Sequence, residues 1–375
     1  AIELLEPLVT GPRADPEAAV TLAIAYRRLR RYDDALRLYE TILARSPDHH
    51  VVHYNKGIAQ SHKGEVRGAI ISYRRALQLA PGFQPAMANL GDVLLEHGHP
   101  DEAITLLERA LELDPGDGIA RATLGFARLT TGDPVGARLL TEQVLAVDPD
   151  SPTAHNTLGL ILLAEQEPEQ AMAEFARAAE LDPAYGDPLL NLAQGHLEAG
   201  NLELADAFAR KALALRPRWA LARTVCGRVM LEQESWDRAV RELEAALDDD
   251  PGFATAHSLL GYAHLMRGDL VQAAASSRAA LELDPDLVDA RLNLGFALMA
   301  VGDLAAAKAA YARALEIEPR NGIAHNNLAV ICFRLGAPAA AWAHVEQARA
   351  AGVDPNPEFL EALERATEGD GRRKP

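Results

Sequence analysis

A chain of 375 residues is too long to fold around one core, so it is either several domains or a tandem array. Hydrophobic residues make up 49% and aromatics 5%, which excludes general disorder and gives sheets little to pack, whereas an alanine- and leucine-rich chain suits helices. Against 37 basic residues stand 54 acidic ones, a formal charge of -17 that repels phosphate backbones, so no nucleic-acid partner is expected.

The first segment, Ala1–Leu8 (AIELLEPL), reads as the start of a second helix by comparison with Ala103–Ala110 (AITLLERA), and Thr10–Asp15 as a short irregular linker. Residues 1–15 are therefore read as a partial repeat, and a longer precursor is expected upstream of Ala1. From Pro16 a period of 34 takes over, with prolines at 47, 81, 115, 149, 183, 217, 251, 285 and 319. Placing these at repeat position 32 defines ten repeats: 16–49, 50–83, 84–117, 118–151, 152–185, 186–219, 220–253, 254–287, 288–321 and 322–355.

Each repeat predicts two amphipathic helices, over about positions 1–14 and 17–31. Position 20 is alanine in all ten repeats, from Ala35 to Ala341, and position 8 is only glycine or alanine, as at Gly57, Gly159 and Ala329. Small residues there let helix backbones approach. Seven repeats put glycine at position 15, from Gly64 to Gly336, where a helix end favours left-handed dihedrals, and the proline at position 32 stops the second helix. Residues 356–368 then read as a capping helix with Glu358, Glu361, Glu364 and Glu368 on a polar face, and 369–375 as a disordered tail.

This pattern of leucine and glycine in the first helix, then alanine, aromatic, alanine and proline in the second, resembles the tetratricopeptide-repeat family. The resemblance covers residues 16–355. It implies an all-α, right-handed superhelical α-solenoid of antiparallel helix pairs, with the first helix of each pair lining a concave groove.

No motif in the chain carries catalytic chemistry. There is no phosphate loop, no Cys-x-x-Cys, no nucleophile elbow and no His-Glu-x-x-His, so no enzyme activity and no cofactor are expected. His49, His50, His53 and His62 have spacings that metal ligands use, but His53 shares repeat position 4 with His155, His257 and His325, which marks a packing position. The acidic run Asp248–Asp250 ends a helix before Pro251 and reads as solvated. Cys226 and Cys332 stand three repeats apart, too far to bridge, so the fold does not depend on an oxidising compartment; a cytoplasmic setting is favoured, and a periplasmic or extracellular one stays compatible. No apolar run approaches the ~18 residues a membrane span needs, so no membrane insertion is expected.

Function is therefore sought on the first-helix positions that the family turns into its groove. Position 6 carries Asn55, Asn89, Asn191, Asn293 and Asn327, with Asn156 one position earlier in its repeat. An asparagine amide offers a donor and an acceptor, so such a ladder suits a peptide backbone. Position 9 carries Phe126, Tyr262 and Phe296, an apolar strip suited to anchoring a partner segment. Charge along this face alternates: Arg27, Arg28 and His62 are basic, Glu96, Glu198 and Glu232 acidic, and Arg334 basic again. Position 5 holds no lysine or arginine in any of its ten occurrences, which rules out the carboxylate clamp of the family's chaperone-tail binders. The reading is a scaffold that binds a protein or peptide segment. The alternatives are a structural protein assembling end to end into oligomers or filaments, and the recognition arm of a larger enzyme such as a glycosyltransferase.

Overall fold

The computed structural model describes residues 16–370. The partial repeat and linker read over residues 1–15 lie outside the described residues, as does the tail from residue 371 onward. Among the described residues there are helices and no strands. They group into two compact units, residues 1–183 and 184–375.

In the first unit the helices are α1 (Pro16–Arg28), α2 (Tyr32–Arg45), α3 (His50–Lys63), α4 (Val66–Leu79), α5 (Gln84–Glu96), α6 (Pro100–Leu113), α7 (Gly118–Thr130), α8 (Pro134–Val147), α9 (Pro152–Ala164) and α10 (Pro168–Leu181). In the second they are α11 (Gly186–Glu198), α12 (Leu202–Leu215), α13 (Ala220–Glu232), α14 (Trp236–Asp249), α15 (Ala254–Arg267), α16 (Leu270–Leu283), α17 (Val288–Ala300), α18 (Leu304–Ile317), α19 (Gly322–Arg334), α20 (Pro338–Ala350) and α21 (Pro357–Asp370). Within each unit a helix packs on its hairpin partner and on the helix that follows, and the odd-numbered first helices also touch their counterparts in the next repeat.

The close hairpins follow from repeat positions 8 and 24. A side chain at position 24 lies over the backbone at position 8: a Cβ on Gly57 would stand 2.7 Å from the Tyr73 ring, and one on Gly295 2.7 Å from Tyr311. Tyr73, Phe175 and Tyr311 are in consequence almost wholly buried, each ring contributing about 2–3 kcal/mol of apolar burial. At Ala209, where position 24 carries only a methyl group, position 8 is alanine, Ala193. The alanines at position 20, Ala35 to Ala341, are fully buried.

Position 4 does more than pack. His53, His155, His257 and His325 hold the carbonyl of the proline six residues earlier through Nε2, at 2.8 Å to Pro47, 2.9 Å to Pro149, 3.0 Å to Pro251 and 3.1 Å to Pro319. A carbonyl only accepts, so Nε2 carries the hydrogen in each case. Arginine makes the same tie elsewhere: Arg223 donates to Pro217 at 2.8 Å, and Arg121 and Arg291 to Pro115 and Pro285. The proline that stops one helix pair is thus fastened to the next pair.

At position 15 the glycines turn left-handed, as at Gly64 with φ 84 and Gly268 with φ 85, closing α3 and α15. Three repeats place a larger residue in that same conformation: Arg30 (φ 59), Gln166 (φ 64) and Glu234 (φ 53). These backbones are strained.

At the C-terminal side α21 occupies the place where a further first helix would stand. Leu363 is fully buried against Ala329, Cys332, Ala341 and Val345, and Phe359 meets Phe333 edge-on at 5.7 Å. The Trp342 indole N–H donates to Thr367 at 3.1 Å. The helix continues to Asp370, so residues 369 and 370, read from sequence as tail, belong to it.

Candidate protein-binding face

The first helices present positions 2, 5, 6, 9, 12 and 13 on one side, and burial separates what these positions do. Position 12 is core: Leu197, Leu231 and Leu265 are buried, while Leu163 is the open member of the series. Position 9 is not. Tyr262 on α15 and Phe296 on α17 are 38% and 42% exposed, on helices that touch each other. Phe126 on α7, in the first unit, is half-buried. Met266, one turn on from Tyr262, is exposed as well. Arg228, at position 9 of α13, is exposed and has no hydrogen bond or ion pair among the described residues.

Some of the asparagines also bond within the fold. Asn55 is buried and donates from Nδ2 to the Val51 carbonyl one turn earlier, at 2.9 Å. Asn156 is buried too. Asn293 donates to the Ser258 carbonyl at 3.1 Å, and Asn89 reaches the Tyr54 hydroxyl at 3.4 Å, each crossing to position 5 of the preceding first helix. Asn191 and Asn327 are half-buried. Between closely packed helices an amide must find a partner, and for Asn89 and Asn293 the neighbouring first helix supplies it. Asn89 and Asn293 thus join neighbouring first helices, Asn55 stays within its own, and Tyr262 and Phe296 are apolar position-9 side chains that the face leaves open.

Electrostatics on this side departs from a simple count of charges. Asp92, at position 9 of α5, is exposed by area, yet its carboxyl is raised to about 6, first by loss of hydration and then by Glu96. Both observations hold for a side chain at the floor of a recess, where water reaches some atoms while protein surrounds the group. His62 is held below its ordinary value, again by loss of hydration first and then by Arg27 and Arg30. The positive charge there comes from arginines, not from the histidine. Tyr39, fully buried beneath α1, is pushed up to about 12 by burial, opposed only in part by Arg27.

Of the histidines with ligand-like spacing, His49 and His50 lie with ring centroids 6.5 Å apart, and the others have different partners. His50 packs edge-on against Phe83 at 5.1 Å, His53 holds Pro47, and His62 meets Tyr32 edge-on at 6.0 Å. Among the described residues no group of three or more His, Cys, Asp or Glu is placed to hold a metal ion, and no helix is long and apolar enough to cross a membrane. Cys226 and Cys332 are buried free thiols.

Comparison with known proteins places this geometry. Models described as tetratricopeptide repeat match residues 20–82, 227–288 and 292–355, residues 62–109 and 94–161, residues 152–185 and residues 187–211. The chain belongs to the tetratricopeptide-repeat family. A tetratricopeptide protein in the crystal structure of the APC/C hetero-tetramer Cut9-Hcn1 superposes with a TM-score of 0.69 at 15% identity, over 95% of this chain and 77% of that one. A tetratricopeptide-repeat protein from Parabacteroides merdae ATCC 43184 superposes with a TM-score of 0.54 at 17% identity, over 66% of this chain and 98% of that one. At these identities the tetratricopeptide likeness is one of fold. No curated protein matches the chain.

Proposed function

We propose that this tetratricopeptide-repeat chain is a non-catalytic protein-interaction scaffold that holds a partner polypeptide against its first helices. The anchors are Phe126 in the first unit and Tyr262 and Phe296 in the second. The observation that carries this reading is the exposure of Tyr262 and Phe296 on touching helices, while Tyr311 in the repeat of Phe296 is fully buried. Fully burying an exposed ring is worth about 1.5–3 kcal/mol, so these two, each about two-fifths exposed, offer a partner roughly 1 kcal/mol apiece. Arg228, free at the same repeat position on α13, supplies a charge that a partner carboxylate would meet. Asn89 and Asn293 enter the proposal as fasteners between neighbouring first helices.

The test replaces Phe126, Tyr262 and Phe296 together with serine and measures capture of the cognate partner alongside helicity by circular dichroism. Loss of capture with helicity retained supports the reading. Undiminished capture by a folded triple variant contradicts it.

A further inference from the structure

One joint is built twice in this protein, in two chemical versions. At repeat position 4, His155 and His325 both hold a proline carbonyl through Nε2. Each turns its other ring nitrogen toward the residue nineteen further on, in the second helix of the same hairpin. For His155 in α9 that residue is Glu174 in α10, with Nδ1 2.6 Å from the carboxylate. For His325 in α19 it is His344 in α20, with the two Nδ1 atoms 3.0 Å apart and the rings tilted by 38°.

The proton count decides how each version behaves. The proline carbonyl fixes a hydrogen on Nε2 of both position-4 rings. A further hydrogen on His155 Nδ1 points at a carboxylate and is satisfied. At His325 the 3.0 Å contact is a hydrogen bond only while a single hydrogen lies between the rings. With both rings neutral, His344 donates to His325. One added proton leaves that bond intact, since an imidazolium still donates to a neutral ring. A second added proton sets two N–H groups against each other and two cations in contact. His325 is buried, so water does not screen them. The charged group facing the pair from the preceding repeat is Lys308 on α18, which adds to the repulsion, and among the described residues no carboxylate stands within ion-pair distance of either ring. Loss of hydration, then His325, then Lys308 hold the His344 ring below its ordinary value.

We infer that the His325–His344 contact is a proton-sensitive joint that loosens the α19–α20 hairpin on acidification, whereas the His155–Glu174 joint of α9–α10 keeps its hairpin closed. The sign follows from linkage. Unfolded, both histidines of the pair take up protons near pH 6.5, while the folded hairpin resists carrying a proton on each facing nitrogen, where two N–H groups would meet 3.0 Å apart. Below that pH the unfolded state binds more protons, so hairpin stability falls as pH falls.

Hydrogen exchange of the full chain, compared at about pH 7.5 and about pH 5.5 and corrected for intrinsic rates, reads each hairpin separately because a repeat array opens locally. Protection in α19–α20 is expected to drop about tenfold at the lower pH, the size of one pKa unit, while α9–α10 holds. His344→Glu copies the α9–α10 pair and should abolish the drop. Glu174→His copies the α19–α20 pair and should create a drop in α9–α10. An equal loss in both hairpins of the wild type, or a loss in α19–α20 that His344→Glu leaves unchanged, overturns the inference.

Discussion

Gly159 lies directly beneath the ring of Phe175: a Cβ at Gly159 would stand 2.5 Å from the nearest ring carbon, closer than two such atoms approach. The first and second helices of that hairpin pack at this separation because one partner has no side chain. Gly159→Ala therefore forces the buried Phe175 off its rotamer or the helices apart. We expect a destabilisation of about 1–3 kcal/mol, read as a lower denaturant midpoint. Phe175→Leu in the same background should recover part of it, because the clash is with the ring.

Strain at Arg30, Gln166 and Glu234 predicts the opposite sign. Each sits at positive φ where seven other repeats have glycine. A non-glycine residue there costs about 1–2 kcal/mol, of which the greater freedom of unfolded glycine takes back about half. Gln166→Gly and Glu234→Gly should each stabilise by roughly 0.5–1 kcal/mol, whereas Gly268→Ala, at φ 85, should destabilise by a similar amount. Thermal melts of the single variants check all three.

The helix pairs, their small-residue contacts and the family are legible in the 34-residue period, because packing repeats whenever the sequence does. Other features were not legible, for physical reasons. A repeat position gives the face of a helix but not the partner of a polar group on it. Asn293 and Tyr262 stand three positions apart in the repeat, yet one bonds a neighbouring helix and the other is left open. The position-4 histidines looked like packing residues because their acceptor, a proline carbonyl, has no sequence signature of its own. The His155–Glu174 and His325–His344 pairs did leave a trace: both fall at repeat positions 4 and 23, which a comparison of hairpin-facing positions would have found. The loss of hydration at Asp92 depends on the surrounding chain and cannot be read from its neighbours in sequence.

Asp92 gives a pH dependence of known direction. Its folded value, about 6, lies above the ordinary carboxylate value, so the folded state binds more protons than the unfolded one between roughly pH 4 and pH 6. Stability contributed by this group rises as pH falls through 6 and is lost again as pH climbs above it. Asp92→Asn should raise the denaturation midpoint at pH 7 and leave it nearly unchanged at pH 4. A parallel shift at both pH values would show that Asp92 acts through packing and not through its charge.

In the proposed function, the position-9 side chains of the first helices are the surface that a partner covers. Site-specific photo-crosslinking tests this most directly, with a photoreactive phenylalanine analogue placed singly at Tyr262, at Phe296, and at Val271, which is 76% exposed on the second helix α16. Incubated with the cognate partner, the Tyr262 and Phe296 positions should each yield a crosslinked species that unlabelled wild-type chain competes away, and Val271 should yield none. Crosslinking at Val271 equal to that at Phe296, or none at either first-helix position while the partner is still bound, would contradict the account.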